Sequence, residues 1–130
     1  MHIFVVDDDP YYADILMHQI RMTGDHVVKI FHKAKDVVSA LRAGETCGLL
    51  IIDIFMEDMD GVELIMHLSD VIYSGAISII SGVSSETLNI AESIARNSGL
   101  NVCGAHVKPI TAEQLYQCIT AAQAAIHKNS

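Results

Sequence analysis

Five short apolar runs, at residues 2–6, 26–31, 48–53, 76–80 and 101–107, recur along this chain, each flanked by Gly, Asp or Asn. Their Val and Ile content is that of strands buried on both faces. Each is followed by a segment with apolar residues three and four apart. The first such segment offers Ala13, Leu16 or Met17, and Ile20; the fourth offers Leu88, Ala91 and Ala95; the last offers Leu115, Ile119, Ala122 and Ile126. Strand and amphipathic helix alternating five times through short loops, with right-handed crossovers, place helices on both faces of one parallel sheet. The predicted class is α/β, a single (βα)5 doubly wound domain over residues 1–130, undivided by any Gly/Ser/Pro linker or internal repeat.

Local signals agree with this division. Asp9-Pro10 reads as an N-cap followed by proline at the first helical position, where the missing N–H costs nothing. Gly24, Gly44 and Gly99 are placed as left-handed stops after the first, second and fourth helices. Asp60-Gly-Val-Glu63 and Thr111-Ala-Glu-Gln114 have the spacing of capping boxes.

The charge balance narrows the function. At a net charge of −8, with only eight scattered basic residues, the chain lacks the clustered Lys and Arg that grip a phosphate backbone, so direct nucleic-acid binding is not expected. No apolar run approaches the ~18 residues needed to cross a bilayer, and the N-terminus lacks the charged start and small-residue cleavage site of a secretory signal. Cys47, Cys103 and Cys118 are odd in number and show no C-x-x-C spacing. Neither a disulfide framework nor a zinc site is indicated, and a reduced, cytoplasmic setting is the default.

The chemistry lies where the apolar runs end. Asp7-Asp8-Asp9 follows His2-Ile3-Phe4-Val5-Val6, and Asp53 ends Leu49-Leu50-Ile51-Ile52. A strand that stops on a carboxylate places it at the carboxyl edge of the sheet, where open parallel sheets bind ligands. In a sheet of order 2-1-3-4-5 the first and third strands are neighbours at the topological switch point, so Asp7, Asp8 and Asp53 are expected around one crevice. The same logic brings Ser81 from the fourth strand and Lys108-Pro109 from the fifth. Two carboxylates ~4 Å apart repel by on the order of 4 kcal/mol at an effective dielectric of about 20, so the cluster calls for a cation. A divalent ion, an amine and a hydroxyl around an acidic pair are the parts of phosphoryl transfer onto a carboxylate. Mg2+ suits the site, because each candidate ligand is an oxygen and no His or Cys lies at the strand ends.

Through Val5-Val6-Asp7-Asp8-Asp9-Pro10, Ile52-Asp53-Ile54-Phe55-Met56, Met59-Asp60-Gly61, Ser81-Gly82 and Lys108-Pro109, the chain resembles the receiver domain of two-component response regulators over essentially its whole length. That family has the CheY-like, flavodoxin-like fold. The resemblance implies that Asp53 is the phosphoacceptor and that Asp8 ligates Mg2+ directly. Asp7 would assist, often through water, and the main-chain carbonyl of Phe55 would be a further ligand. Ser81 and Lys108 would read the phosphoryl group, and the Lys108-Pro109 bond would be cis. It implies a signalling switch rather than an enzyme, with no chemistry beyond its own phosphorylation and dephosphorylation. A histidine kinase or histidine phosphotransfer domain would dock near the first helix as donor. Ser81 would then move toward the phosphate and alter the face formed by the fourth helix, fifth strand and fifth helix, where an output domain, a partner protein or a second copy would engage. The stretch from Ser81-Gly82 through Ala91-Glu92 to Gly99-Leu100-Asn101-Val102 is similar to receivers joined to EAL-type cyclic-di-GMP phosphodiesterases, which would make such a domain the output.

Three positions depart from the family pattern. Glu57-Asp58 stands where Pro-Gly is usual, adding negative charge near the pocket mouth. Ala105 replaces the usual aromatic residue three before Lys108, with His106 expected on the opposite face of the strand. The segment from Ser81 to Lys108 is longer than in compact receivers. Phe55 and Val83 flank the route of an attacking water, and neither can orient it as an acid or amide could. Asp9 and Asp60 have sufficient roles as caps. The seven histidines show no metal-ligand spacing, and Tyr11 and Tyr12 fit core and rim packing.

Three other readings share parts of this pattern. A haloacid-dehalogenase-like phosphatase would need a Thr or Val two places past its second Asp, which Asp7-Asp8-Asp9-Pro10-Tyr11 does not supply. An FMN carrier would need a Ser/Thr/Gly-rich loop where this chain has three acids. A receiver-like docking module that takes no phosphate would share the fold.

Overall fold

A computed structural model describes residues 1–82 and 84–128. Strands β1 (His2–Val6), β2 (Val27–Phe31), β3 (Leu49–Asp53), β4 (Ala76–Ser81) and β5 (Asn101–Val107) alternate with helices α1 (Pro10–Arg21), α2 (Ala34–Arg42), α3 (Gly61–Asp70), α4 (Ser85–Asn97) and α5 (Ala112–Lys128). The strands pair in parallel in the order β2-β1-β3-β4-β5, the order expected of the doubly wound class. No helix is long and apolar enough to cross a membrane among the described residues.

The two-residue period of the strands sorts the core into two layers. Ile3, Val5, Leu49 and Ile51 face α1 and α5, against Leu16, Ile20, Leu115 and Ile119. Phe4, Val6, Leu50, Ile52 and Ile77 face α2, α3 and α4, against Val37, Leu64, Leu68 and Leu88. β2 departs from the two-sided burial that its apolar run predicts. It is an edge strand with a neighbour on one side only, Val27 is largely exposed, and Lys29 reaches outward to Glu45 at 2.7 Å.

β5 carries a bulge that its unbroken apolar run conceals. Pairing steps from Ile77–Val102 to Ser78–Gly104, leaving Cys103 as an extra residue. One extra residue reverses the alternation beyond it. Val102 packs in the α2–α3–α4 layer and Cys103 against the α1–α5 layer, while Ala105 returns to the first. His106 lies on the α5 side, as expected, within 3.0 Å of where a Gly104 Cβ would be. That same Cβ would meet Cys118 Sγ at 2.5 Å, so only glycine fits between β5 and α5.

Helix ends follow local chemistry with two exceptions. Asp9 accepts from the Tyr11 and Tyr12 N–H groups and Pro10 opens α1. Thr111 and Gln114 form a reciprocal capping box, and Asp60 caps Glu63 at 2.8 Å. Gly44 and Gly99, at φ 96° and 83°, close α2 and α4 with the expected bonds from Glu45 N–H to Ala40 O and from Leu100 N–H to Ala95 O. α1 stops differently: Met22 caps it in the right-handed region, Thr23 N–H returns to Ile20 O, and Gly24, at φ 154°, lies one residue further on.

The first exception ends α3. Tyr73 N–H returns to Leu68 O and Ile72 N–H to Ser69 O, the glycine motif, yet the left-handed position holds the exposed Ile72 at φ 54°. The second begins α2. Its N-cap residue Lys33 makes no side-chain cap. Asp58, 24 residues away in sequence, supplies one from across the sheet edge, accepting from Ala34 N–H at 3.2 Å and Lys35 N–H at 3.1 Å.

Both exceptions have measurable consequences. A non-glycine residue in the left-handed region costs roughly 1–2 kcal/mol, against roughly 0.5–1 kcal/mol for glycine's extra chain entropy. Ile72→Gly is therefore expected to raise the unfolding free energy in urea by about 0.5–1 kcal/mol. Asp58→Ala is expected to lower it by about 1 kcal/mol and to accelerate amide exchange at Ala34 and Lys35.

Candidate functional site

Strand register assembles the site. Val6 lies opposite Ile52, so the next residues, Asp7 and Asp53, stand side by side at the carboxyl edge. Asp53 lies opposite Ile80, and Ser81 opposite Val107, which brings Ser81 and Lys108 to the same edge. Lys108 N–H donates to Ser81 O at 2.7 Å, fixing the root of the lysine, and the Lys108-Pro109 peptide is cis as expected.

The ammonium of Lys108 joins the two buried acids. Its Nζ donates to Asp7 Oδ2 at 2.8 Å and to Asp53 Oδ2 at 3.2 Å. Asp7 has no exposed surface, and its Oδ1 accepts from Asp9 N–H at 2.9 Å. Asp53 is 4% exposed, and its Oδ1 accepts from Phe55 N–H at 3.2 Å. Asp8 is exposed at the mouth, where Oδ2 accepts from Glu57 N–H at 3.3 Å. Ser81 is fully buried.

Burial, and then the charge of Asp7, push the Asp53 carboxyl up to about 6, with Lys108 and the Phe55 N–H holding it down in part. Burial pulls the Lys108 ammonium down, but its hydrogen bond to Asp7 and the charges of Asp53 and Asp7 outweigh this, so it is raised above its ordinary value. Among the described residues, Lys108 is the one ammonium paired with this cluster, and it reaches two of its three carboxylates. Oxygens of Asp7, Asp8 and Asp53 all lie within 4.8 Å of one another. Octahedral Mg2+, with bonds near 2.1 Å, holds opposite oxygens about 4.2 Å apart, so the all-oxygen set suits that ion and the carboxylates would draw together by some tenths of an ångström to hold it.

The expected residues Asp7, Asp8, Asp53, Ser81 and Lys108 are thus brought to one edge. Phe55 follows within two residues of Asp53 and is about half exposed; Val83 lies outside the described residues. Asp58 lines the mouth together with Asp8 and Glu57, as expected, and its carboxylate has a second role there, accepting from the α2 N-terminus. Two neighbours were not foreseen, although His32 directly follows β2 and so lies at a strand end, where no histidine was expected. His32 Nδ1 lies 3.1 Å from Asp7 O. The Tyr12 ring lies 4.5 Å from Lys108 Nζ, and its hydroxyl accepts from Ile110 N–H at 2.9 Å. The only hint of the second was its place in the first turn after Asp9, beside the acids.

A family model, the response regulator receiver domain, matches residues 3–120. Among solved structures, a response regulator from Colwellia psychrerythraea is 28% identical, with a TM-score of 0.78 covering 95% of this chain and 97% of that one. A receiver domain protein from Clostridium thermocellum has the same fold at 16% identity, with a TM-score of 0.84 covering 99% and 98%. An uncharacterized 14.6 kDa protein in the sodA1 3′ region of Leptolyngbya boryana is 42% identical over 65 residues, 50% of this chain and 48% of that protein. The chain therefore spans about half the length of this curated relative. With the matched segment enclosing every strand-end acid and the lysine, the chain belongs to the response regulator receiver domain family.

Proposed function

We propose that Asp53 accepts a phosphoryl group from a phosphohistidine, and that Asp8, Asp53, Asp7 and the Phe55 carbonyl hold the Mg2+ that accompanies it. The carrying observation is the buried Asp7–Lys108–Asp53 bridge at the switch-point edge, which leaves more negative than positive charge around one carboxylate. An Asp53 oxygen attacks phosphorus in line; the P–N bond to the donor imidazole breaks as the P–O bond forms, and the imidazole nitrogen leaves with the electron pair and takes a proton. When bound, the cation offsets the charge of the carboxylates and phosphoryl oxygens. Lys108 re-aims its ammonium from the Asp53 carboxylate to a phosphoryl oxygen, and Ser81 donates its hydroxyl to another. Ser81 ends β4 and lies opposite Val107, so its shift is transmitted to α4 and β5.

The donor is a histidine kinase or phosphotransfer domain, and the altered α4–β5–α5 face acts on an output domain or partner, with a second copy as one occupant. The pattern over residues 81–102 supports an EAL-type cyclic-di-GMP phosphodiesterase as that output. Ala105, with no ring to turn toward Ser81, leaves the hydroxyl shift to be carried by the backbone of β4 and α4.

Incubation with acetyl phosphate and Mg2+ is expected to add one phosphoryl mass to the intact protein, and Asp53→Ala to abolish the gain. Turnover of a generic aryl phosphate, or a gain unaffected by Asp53→Ala, would overturn the reading. Mg2+ is expected to raise the thermal midpoint of the wild type, with the rise lost in Asp8→Ala. Because Phe55 is apolar and half exposed beside the acceptor, the aspartyl phosphate should persist well beyond seconds. Phe55→Asn should shorten its half-life severalfold by supplying an amide to orient water.

A further inference from the structure

Lys108 is a long, flexible side chain whose tip must be held while its partners change. Its ammonium has three protons, of which Asp7 and Asp53 engage two. Both partners are charged, and one of them, Asp53, changes its charge and shape when it carries a phosphoryl group. A further neighbour is Tyr12, whose ring stands 4.5 Å from Nζ. That contact is within the range of a cation–π attraction, and it does not depend on the state of Asp53.

Tyr12 is fixed at both ends. Its backbone N–H is held by the Asp9 cap in the first turn of α1, which turns the adjacent Tyr11 out to solvent, where it is 82% exposed. Its hydroxyl accepts from Ile110 N–H at 2.9 Å. Ile110 is 2% exposed, and Pro109 before it has no N–H, so this bond satisfies the one buried donor that follows the lysine in the β5–α5 loop. A single side chain thus ties α1 to the loop bearing Lys108 and covers the ammonium with a neutral aromatic face.

We propose that Tyr12 is a positioning residue for phosphoryl recognition: its ring and hydroxyl hold Lys108 on the acceptor while the lysine exchanges Asp53 for a phosphoryl oxygen. The inference rests on the acceptor reading above and deepens it. A phenylalanine at this position keeps the ring and loses the loop bond; a leucine loses both. Neither substitution removes a metal ligand.

The test compares wild type, Tyr12→Phe and Tyr12→Leu in three measurements. In NMR spectra the Lys108 Hε signals are shifted upfield by the ring in the wild type and in Tyr12→Phe, and return to their ordinary position in Tyr12→Leu. Trifluoroberyllate with Mg2+, a phosphoryl mimic, binds Tyr12→Leu about fivefold more weakly, the size of a partly shielded cation–π contact. The Mg2+ affinity measured alone stays within about twofold, and Tyr12→Phe falls between the other two for the mimic. Lys108 signals unmoved in Tyr12→Leu overturn the proposal, as does an equal loss of Mg2+ and trifluoroberyllate affinity, which is the mark of general loosening. If wild type gains phosphoryl mass and Tyr12→Leu binds the mimic equally well, this inference alone fails. If wild type gains no phosphoryl mass, the acceptor reading fails and takes this one with it.

Discussion

A single ammonium makes the carboxyl edge of this sheet tenable. Asp7 is fully buried and Asp53 nearly so, and their strands are neighbours, so the fold forces two carboxylates together in a place where water cannot screen them. Lys108 stands between them. It comes from 101 residues beyond Asp7 and 55 beyond Asp53. Removing one partner of such a buried pair leaves a charge uncompensated, which typically costs about 3–5 kcal/mol. The bridge exists only when β1, β3 and the end of β5 are all in place, so the chemistry of the site reports on the completed sheet. The bridge is also incomplete as a neutralising device. Among the described residues Asp8, at the mouth, forms no ion pair, and the excess negative charge is what a divalent cation would meet.

Much of this was legible in the chain because strands, once recognised, carry their own geometry. Apolar runs ending on Asp7, Asp53, Ser81 and Lys108 fix which side chains meet at one edge, given a parallel sheet of that order. Caps such as Asp9 and the Thr111–Gln114 box are legible because both partners lie within one turn. Most of what could not be read depends on residues distant in sequence; the stop of α1 at Met22 rather than Gly24 and the left-handed Ile72 after α3 are the local exceptions. The cap that Asp58 gives α2 has no local pattern, and the spacing suggested only a charge near the pocket. The extra residue at Cys103 is invisible inside an apolar run, because periodicity over seven residues cannot distinguish a bulge from an unbroken strand. Tyr12 looked like packing because its two partners, Lys108 and Ile110, lie some hundred residues away.

The bulge and the small residues near it explain how β5 tolerates a departure from the family pattern. With Gly104 pressed against Cys118, the strand lies close to α5, while the partly buried Ala105 packs against the other layer. On the proposed phosphoacceptor reading, the switch would run through main-chain displacement of β4 and β5 rather than through a ring beside Ser81.

The bond from Asp58 to α2 also constrains how this molecule can diversify. The loop joining β3 to α3 has to reach across to Ala34 and Lys35 while keeping Phe55 beside Asp53. Its length is therefore set at two points at once. Inserting or deleting a residue there would uncap a helix that lies earlier in the chain, even if the acceptor itself were untouched. Loops beside binding sites are commonly where insertions accumulate; here, variation would be channelled into side-chain identity instead.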